Sequence, residues 1–344
     1  MATTHLERGR QDIRRQALER WLASLDSVLG LDRDSLEPAS NDASFRRYFR
    51  IHGAGGTTRI VMDAPPPQED TRPFLHAARV LKESGVSVPE VLASDTSQGF
   101  LLLEDFGSAT FLGRLKADAA AAPALYQDAW RALVTMQRAS APGQFPAYSR
   151  ELLLRELMLF PDWYLARHKD VRLDAEESRV LQAAFDRILA SNLAQPSVFV
   201  HRDYHSRNLM VLPDERNPGI LDFQDAVYGP ITYDLVSLLR DAYIRWDEAQ
   251  VLDWAIRYWQ AARAAGLPVA ADFSDFYRDF EWMGLQRHLK VLGIFARLFY
   301  RDGKAAYLDD MPLVLDYVRQ VVRRYVELAP LARLIEAIEE RRPG

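Results

Sequence analysis

The 344-residue chain contains no cysteine. Disulfides, thiolate metal centres and cysteine nucleophiles are therefore outside its chemistry, and the absence suits a reducing cytoplasm. Long apolar runs are missing too. None approaches the ~20 residues that a membrane-spanning helix needs. Met1 to Arg15 carries charges every few residues with no apolar stretch, so no secretory signal is expected there. The chain also lacks a basic excess: 43 Lys and Arg stand against 48 Asp and Glu, a formal net charge of -5. A protein that binds a phosphate backbone usually shows the opposite balance. A soluble cytoplasmic protein is expected, with no nucleic acid, membrane or obligate protein partner. Lysine is scarce and occurs only at Lys82, Lys116, Lys169, Lys290 and Lys304; every other cation of this kind is arginine.

What is present suits a folded enzyme. Hydrophobic residues make up 48% and aromatics 11% of the chain, enough for a sizeable core. The length suggests two lobes, or one domain with a large appendage. Ile13, Ala17, Leu18, Trp21, Leu22, Leu25, Val28 and Leu29 recur at helical spacing and predict an opening amphipathic helix. Short strands are expected over 44–52, 58–63, 88–93 and 99–104, with a helix over 71–83 closed by Gly85. Beyond Ala109 the pattern predicts helices over 123–139, 149–168, 174–192, 234–245, 247–265, 272–300 and 312–328. One β island interrupts them, with strands over 197–200, 209–212 and 219–222. The sum is an α+β, bilobal chain: a small β-rich N-lobe over 1–103, a hinge over 104–107 and a large, mainly helical C-lobe over 108–344. A cleft between lobes is a favoured place for a ligand.

The informative stretch runs from Val198 to Leu212 and resumes at Gly219 to Asp225. Its grammar is strand, His-x-Asp-x-x-x-x-Asn loop, strand, turn, strand, Asp. Phosphoryl transfer needs an aligned acceptor oxygen and neutralisation of spreading negative charge, and little covalent chemistry. Asp203 can orient an acceptor hydroxyl and take its proton. Asn208 offers an amide oxygen to Mg²⁺, and Asp222 a carboxylate. Magnesium commonly binds through one or two carboxylates together with substrate phosphates. A hairpin between Asn208 and Asp222 would make these two neighbours despite their separation of fourteen residues in sequence.

This stretch resembles the catalytic and metal loops of the aminoglycoside phosphotransferase and choline kinase superfamily, distant relatives of protein kinases. Ser40 to Arg50, Val61 to Pro67, Gly99 to Gly107, Leu221 to Pro230 and Gln286 to Arg297 extend the resemblance to one branch. That branch comprises the anomeric sugar kinases, which phosphorylate N-acetylmuramate and N-acetylglucosamine at C1 in bacterial cell-wall recycling. The resemblance spans about residues 38–305. It implies a bilobal protein-kinase-like fold, ATP and Mg²⁺ as cofactors, an amino sugar as acceptor and a sugar 1-phosphate product that a uridylyltransferase would use next.

Within that frame, Asn41, Asp42, Ala43, Ser44 and Arg47 fall where kinases carry the phosphate-covering loop, and Glu104 and Phe106 where they carry the adenine-binding hinge. Small residues in such a loop let backbone N–H groups approach phosphate oxygens. The lysine expected on the third strand is absent from Ile60 to Asp63, so Arg46, Arg47 or Arg50 would have to supply its charge. Asp225 is a candidate for metal or sugar hydroxyls, and equally a loop cap. Arg207 would neutralise the migrating phosphoryl group or pair with a carboxylate. Glu156 is a candidate for sugar hydroxyls. Arg287, with Lys290 and Arg301 near one helical face, is a candidate clamp for a lactyl carboxylate or part of a solvated face. Phe160, Trp163 and Tyr164 would stack on a sugar or belong to the core. His201 and Asp234 are expected to be structural braces of the loop. Two alternatives remain on the residues alone: a kinase of another hydroxyl acceptor, such as an aminoglycoside or amino alcohol, and an ATP-binding pseudokinase.

Overall fold

The computed structural model describes residues 2–41 and 45–341. They divide into two compact units, one made of 1–83 and 87–108, the other of 84–86 and 109–344.

The first unit opens with helix α1 (Ala2–Leu29), whose Leu18 and Leu22 are fully buried. A five-stranded antiparallel sheet follows, in the order β1-β2-β3-β5-β4. Its strands are β1 (Asp32–Asn41), β2 (Arg47–His52), β3 (Thr58–Asp63), β4 (Val91–Asp95) and β5 (Phe100–Glu104). Between β3 and β4 lies α2 (Arg72–Ser84), which ends before Gly85 at φ 93°. The apolar face of α1 meets Phe49, Ile51, Val61, Phe100 and Leu102, alternate residues of β2, β3 and β5 that period-two pleating turns to one side. Trp21 lies 5.6 Å from the Phe100 ring. The β1 strand departs from the expectation of sequence. Its residues Asp-Arg-Asp-Ser-Leu-Glu-Pro-Ala-Ser-Asn are poor in β-formers, and pairing with β2 through two register shifts holds them extended. The β2 strand starts at Arg47; the expected start at Ser44 lies outside the described residues. Gly99, at φ 74°, is required: a Cβ there would stand 1.9 Å from the Ala64 carbonyl oxygen.

The second unit contains α3 (Phe111–Ala117), α4 (Ala122–Arg138), α5 (Arg150–Leu157) and a π-helical segment Phe160–His168. Next come α6 (Ala175–Leu193), β6 (Ser197–Val200), β7 (Leu209–Met210), β8 (Gly219–Ile220) and β9 (Val227–Pro230). The chain continues through α7 (Tyr233–Leu239), α8 (Glu248–Ala264), α9 (Phe273–Asp302), α10 (Met311–Arg324) and α11 (Ala329–Glu340). Strand β6 pairs antiparallel with β9, and β7 with β8. The helix expected over 149–168 is broken in two. Pro161 lacks the N–H that a continuous α-helix needs, and the chain passes into the wider π turn. The strands expected to reach Leu212 and Asp222 are each two residues long, which leaves Asp222 beyond the ladder at φ 67°.

Helix α9 is the axis of this unit. Every residue from Phe280 to Gly293 is buried, so it is packed on all sides. Gly293 allows its closest approach, because a Cβ there would lie 2.3 Å from the backbone of Leu159. The alternative of a solvated face therefore fails for Arg287 and Lys290, whereas Arg301, beyond the buried stretch, is exposed and pairs with Asp302. Arg287 and Lys290 are buried. Phe160 and Tyr164 are core, stacked on each other at 5.3 Å.

Candidate active site

The loop from β6 to β7 is held from behind by the carboxylates of two residues near α7. Asp234 accepts the backbone N–H of His201 at 2.6 Å and of Arg202 at 3.0 Å. Asp241, just past the end of α7, accepts the Ser206 N–H at 3.0 Å and its hydroxyl at 2.5 Å. Both carboxylates are fully buried. Burial raises the Asp234 pKa to about 7 against the two backbone donors that favour its charged form. His201 ties this loop to the strand leading to Asp222. Burial depresses its pKa to about 4, so the ring is neutral. Its Nδ1 faces the Asp203 N–H at 3.2 Å, which places the ring proton on Nε2, where it donates to the Leu221 carbonyl at 3.0 Å.

Arg202 stands at φ 79°, a left-handed conformation unusual for this residue type and costing about 1–3 kcal/mol. It is clamped at both ends: its N–H by Asp234, its guanidinium by Glu156. Glu156 is the centre of a buried cluster. It also accepts the Tyr148 hydroxyl at 2.5 Å and lies 3.0 Å from the Lys290 ammonium, which in turn donates to the Tyr233 hydroxyl at 3.0 Å. Burial alone would raise the Glu156 pKa; Lys290 and Arg202 bring it below the ordinary value.

Asp203 emerges from this frame half-buried, and among the described residues no hydrogen-bond donor or ion-pair partner engages its carboxylate. Burial would raise its pKa, but Lys290, His205, Arg202 and Arg287 together hold it below the usual carboxylate value. The group is kept ionised and left available to a hydroxyl. Five residues on, Asn208 Nδ2 donates to the Asp203 carbonyl at 3.0 Å and lies 3.3 Å from Asp222 Oδ2. The β7–β8 pairing, with Leu209 opposite Ile220, brings the Asn and the Asp together. Gln224 donates to the other Asp222 oxygen at 2.8 Å. No cluster of three or more His, Asp or Glu able to hold a metal occurs among the described residues. The donor set is one carboxylate and one amide, which suits a small hard cation whose remaining ligands are phosphate and water oxygens.

Of the other residues singled out from sequence, Asp225 is exposed, and its backbone carbonyl accepts Arg202 Nη1 at 3.3 Å. Arg207 packs its guanidinium 3.6 Å from the centre of the Tyr243 ring and lies 3.8 Å from Asp310. In the first unit, Arg47 is bound to the buried Asp63, which Arg14 also grips at 2.6 Å. Arg50 forms a two-pronged pair with Asp105 at 2.6 and 3.1 Å. Arg46 lies 4.0 Å from Glu69. Glu104 and Phe106 are half-buried at and just after the end of β5. The side chain of Asn41, and Asp42, Ala43 and Ser44 entirely, lie outside what the structure describes. Sequence reasoning missed Asp241, Asp63 and the partnership of Lys290 with Glu156. The first carried a signal: a second carboxylate seven residues after Asp234, just beyond a largely apolar helical stretch.

A profile described as the phosphotransferase enzyme family matches residues 35–273. A Neisseria meningitidis protein named N-acetylmuramate/N-acetylglucosamine kinase is 49% identical over 324 residues, covering 93% of this chain and 95% of its own. A Pseudomonas aeruginosa protein of the same name is 47% identical over 336 residues, covering 96% and 98%. Among solved structures, a choline/ethanolamine kinase family protein from Mesorhizobium loti aligns with a TM-score of 0.58 at 15% identity, over 88% of this chain and 92% of its own. An ADP-bound aminoglycoside phosphotransferase aligns at 0.56 and 15%, over 86% and 96%. These two likenesses show a shared kinase-like fold. The profile covers more than half of the chain and the relatives nearly all of it, so the chain belongs to the phosphotransferase enzyme family.

Proposed function

We propose that the chain is an ATP-dependent kinase that phosphorylates the anomeric hydroxyl of N-acetylmuramate, N-acetylglucosamine or both, in the cytoplasm and in the service of cell-wall recycling. The observation that carries it is the ionised, unengaged carboxylate of Asp203 beside the Asn208–Asp222 pair, in a chain 46–49% identical to three kinases named for those sugars. Asp203 accepts the proton of the sugar's C1 hydroxyl. The sugar oxygen forms its bond to the γ-phosphorus of ATP as the bond to the β–γ bridging oxygen breaks, and ADP leaves. Asn208 and Asp222 would hold Mg²⁺, which neutralises phosphate charge when bound. Asn41, Asp42, Ala43 and Ser44 are assigned to the phosphates, and Glu104 and Phe106 to the adenine; Arg47 pairs with Asp63 instead. Arg207 and Asp225 are assigned to the acceptor side, with His201 and Asp234 as braces and Glu156 as the carboxylate of the buried ion cluster. Residues 104–107 are assigned to the hinge.

The charge around Asp203 favours this acceptor over a cationic one. Its cationic neighbours are Lys290, Arg202 and Arg287, and the nearby Glu156 is already neutralised by two of them. An aminoglycoside or amino alcohol would call for an acidic wall. A coupled assay of ADP release with each sugar, followed by NMR location of the phosphate, tests the assignment. Phosphate on C1 of an N-acetylhexosamine is expected; phosphate elsewhere, or on a cationic acceptor alone, refutes it.

A further inference from the structure

A phosphoryl group in flight spreads negative charge over three oxygens, and kinases commonly meet it with a lysine or arginine. This chain has no lysine on β2 or β3. Of the arginines that would replace it, Arg47 and Arg50 are bound to Asp63 and Asp105, and Arg46 lies 4.0 Å from Glu69. The cations whose field reaches Asp203 can be sorted the same way. Arg202 and Lys290 share Glu156. His205 is a buried imidazole set edge-on to the Tyr243 ring and carries no fixed charge. Arg287 remains. It is 3% exposed, no carboxylate among the described residues comes within ion-pair distance, and its Nη1 is sealed from solvent without a hydrogen-bond partner. A guanidinium buried without a counter-ion costs several kcal/mol unless an anion completes it.

We propose that Arg287, reaching from the axial helix α9, is a further catalytic residue that binds the transferring phosphoryl group, and that its counter-ion arrives with the substrate. The relatives' shared name joins an acid-bearing sugar with a neutral one. The anion common to both reactions is the phosphoryl group, whereas a lactyl carboxylate belongs to one alone. The assignment rests on the phosphoryl-transfer role given to Asp203, and its test is built to fail separately.

R287M is assayed with N-acetylmuramate and with N-acetylglucosamine. Loss of one preorganised donor to transition-state charge lowers kcat by about 100-fold or more, equally for both sugars, with KM changed by less than about threefold. Binding is read without an acceptor, as the rise in Tm given by ADP and Mg²⁺ with and without aluminium fluoride, a mimic of the phosphoryl in flight. Wild type shows an extra rise with aluminium fluoride; R287M keeps the ADP rise and loses the extra one. The ligand-free variant is expected to melt close to wild type, because no ion pair or hydrogen bond of Arg287 Nη1 is lost. A loss confined to N-acetylmuramate overturns the proposal in favour of carboxylate recognition. Unchanged turnover overturns it, as does a lower ligand-free Tm with the aluminium fluoride rise retained. Should R287M fail to fold, R287Q carries the same readouts. The acceptor-free measurement stands even if neither sugar is the substrate. Normal turnover in D203N would remove the role of Asp203 while leaving the Arg287 result intact.

Discussion

Replacing Glu156 by glutamine keeps its shape and removes one negative charge from between two buried cations. The Glu156, Lys290 and Arg202 side chains are 6%, 8% and 19% exposed, so water does little to screen the change. Two positive groups would then face a neutral amide, and breaking a buried pair in this way costs about 3–5 kcal/mol. That is a large part of the 5–15 kcal/mol typical of whole domains. Lys290→Met is milder, about 1.5–3 kcal/mol, because Glu156 keeps Arg202 and Tyr148. The double variant E156Q/K290M removes the surplus cation that the glutamine created, so its loss should fall short of the summed single losses by about 2 kcal/mol. Urea unfolding of the four proteins closes the cycle. K290M has a second signature. Lys290 is the leading charge that holds the Asp203 carboxyl down against burial. A depressed carboxylate contributes stability above its unfolded pKa and loses it as pH falls through the folded value. Without Lys290 both the acid limb of kcat and the onset of acid unfolding should move to higher pH. An E156Q variant within about 1 kcal/mol of wild type, or a strictly additive double variant, would refute the coupling.

Asp203→Asn should collapse kcat by about 100-fold or more while ADP still binds, as a titration of nucleotide affinity would show. Asp222→Asn should raise the Mg²⁺ concentration needed for half-maximal rate, as a metal titration of activity would show, because it removes the carboxylate of the cation's donor pair. Gly293→Ala should cost about 1–3 kcal/mol in urea unfolding, because the new methyl meets the Leu159 backbone at 2.3 Å. Asp63→Asn should destabilise the first unit, leaving Arg14 and Arg47 without their shared carboxylate; a chevron or Tm equal to wild type would contradict this.

What could be read in advance was local. The His-x-Asp-x-x-x-x-Asn spacing and the following Asp describe a hairpin, and the β7–β8 ladder brings Asn208 and Asp222 together through contacts a few residues apart in register. The long helices declared themselves by period, and α8 and α9 lie within a few residues of their expected bounds. Elements without intrinsic preference did not show. Strand β1 is extended because β2 offers it a partner, and β9 because β6 does. Neither fact is encoded in the residues themselves.

The ion pairs were illegible for a different reason. Glu156 and Lys290 are 134 positions apart in sequence, and Arg47 meets Asp63 only because the β2–β3 register sets them directly opposite. From sequence, a basic residue on a helix reads equally as a ligand for an anion or as a solvated charge. What separates the two is where the partner carboxylates fall once the chain is folded. That accounting assigns Lys290 and Arg202 to Glu156, Arg47 to Asp63 and Arg50 to Asp105. Arg287 is left buried without a carboxylate. Charge balance in the folded state, rather than the presence of a basic residue, is therefore what marks a site that waits for an anion.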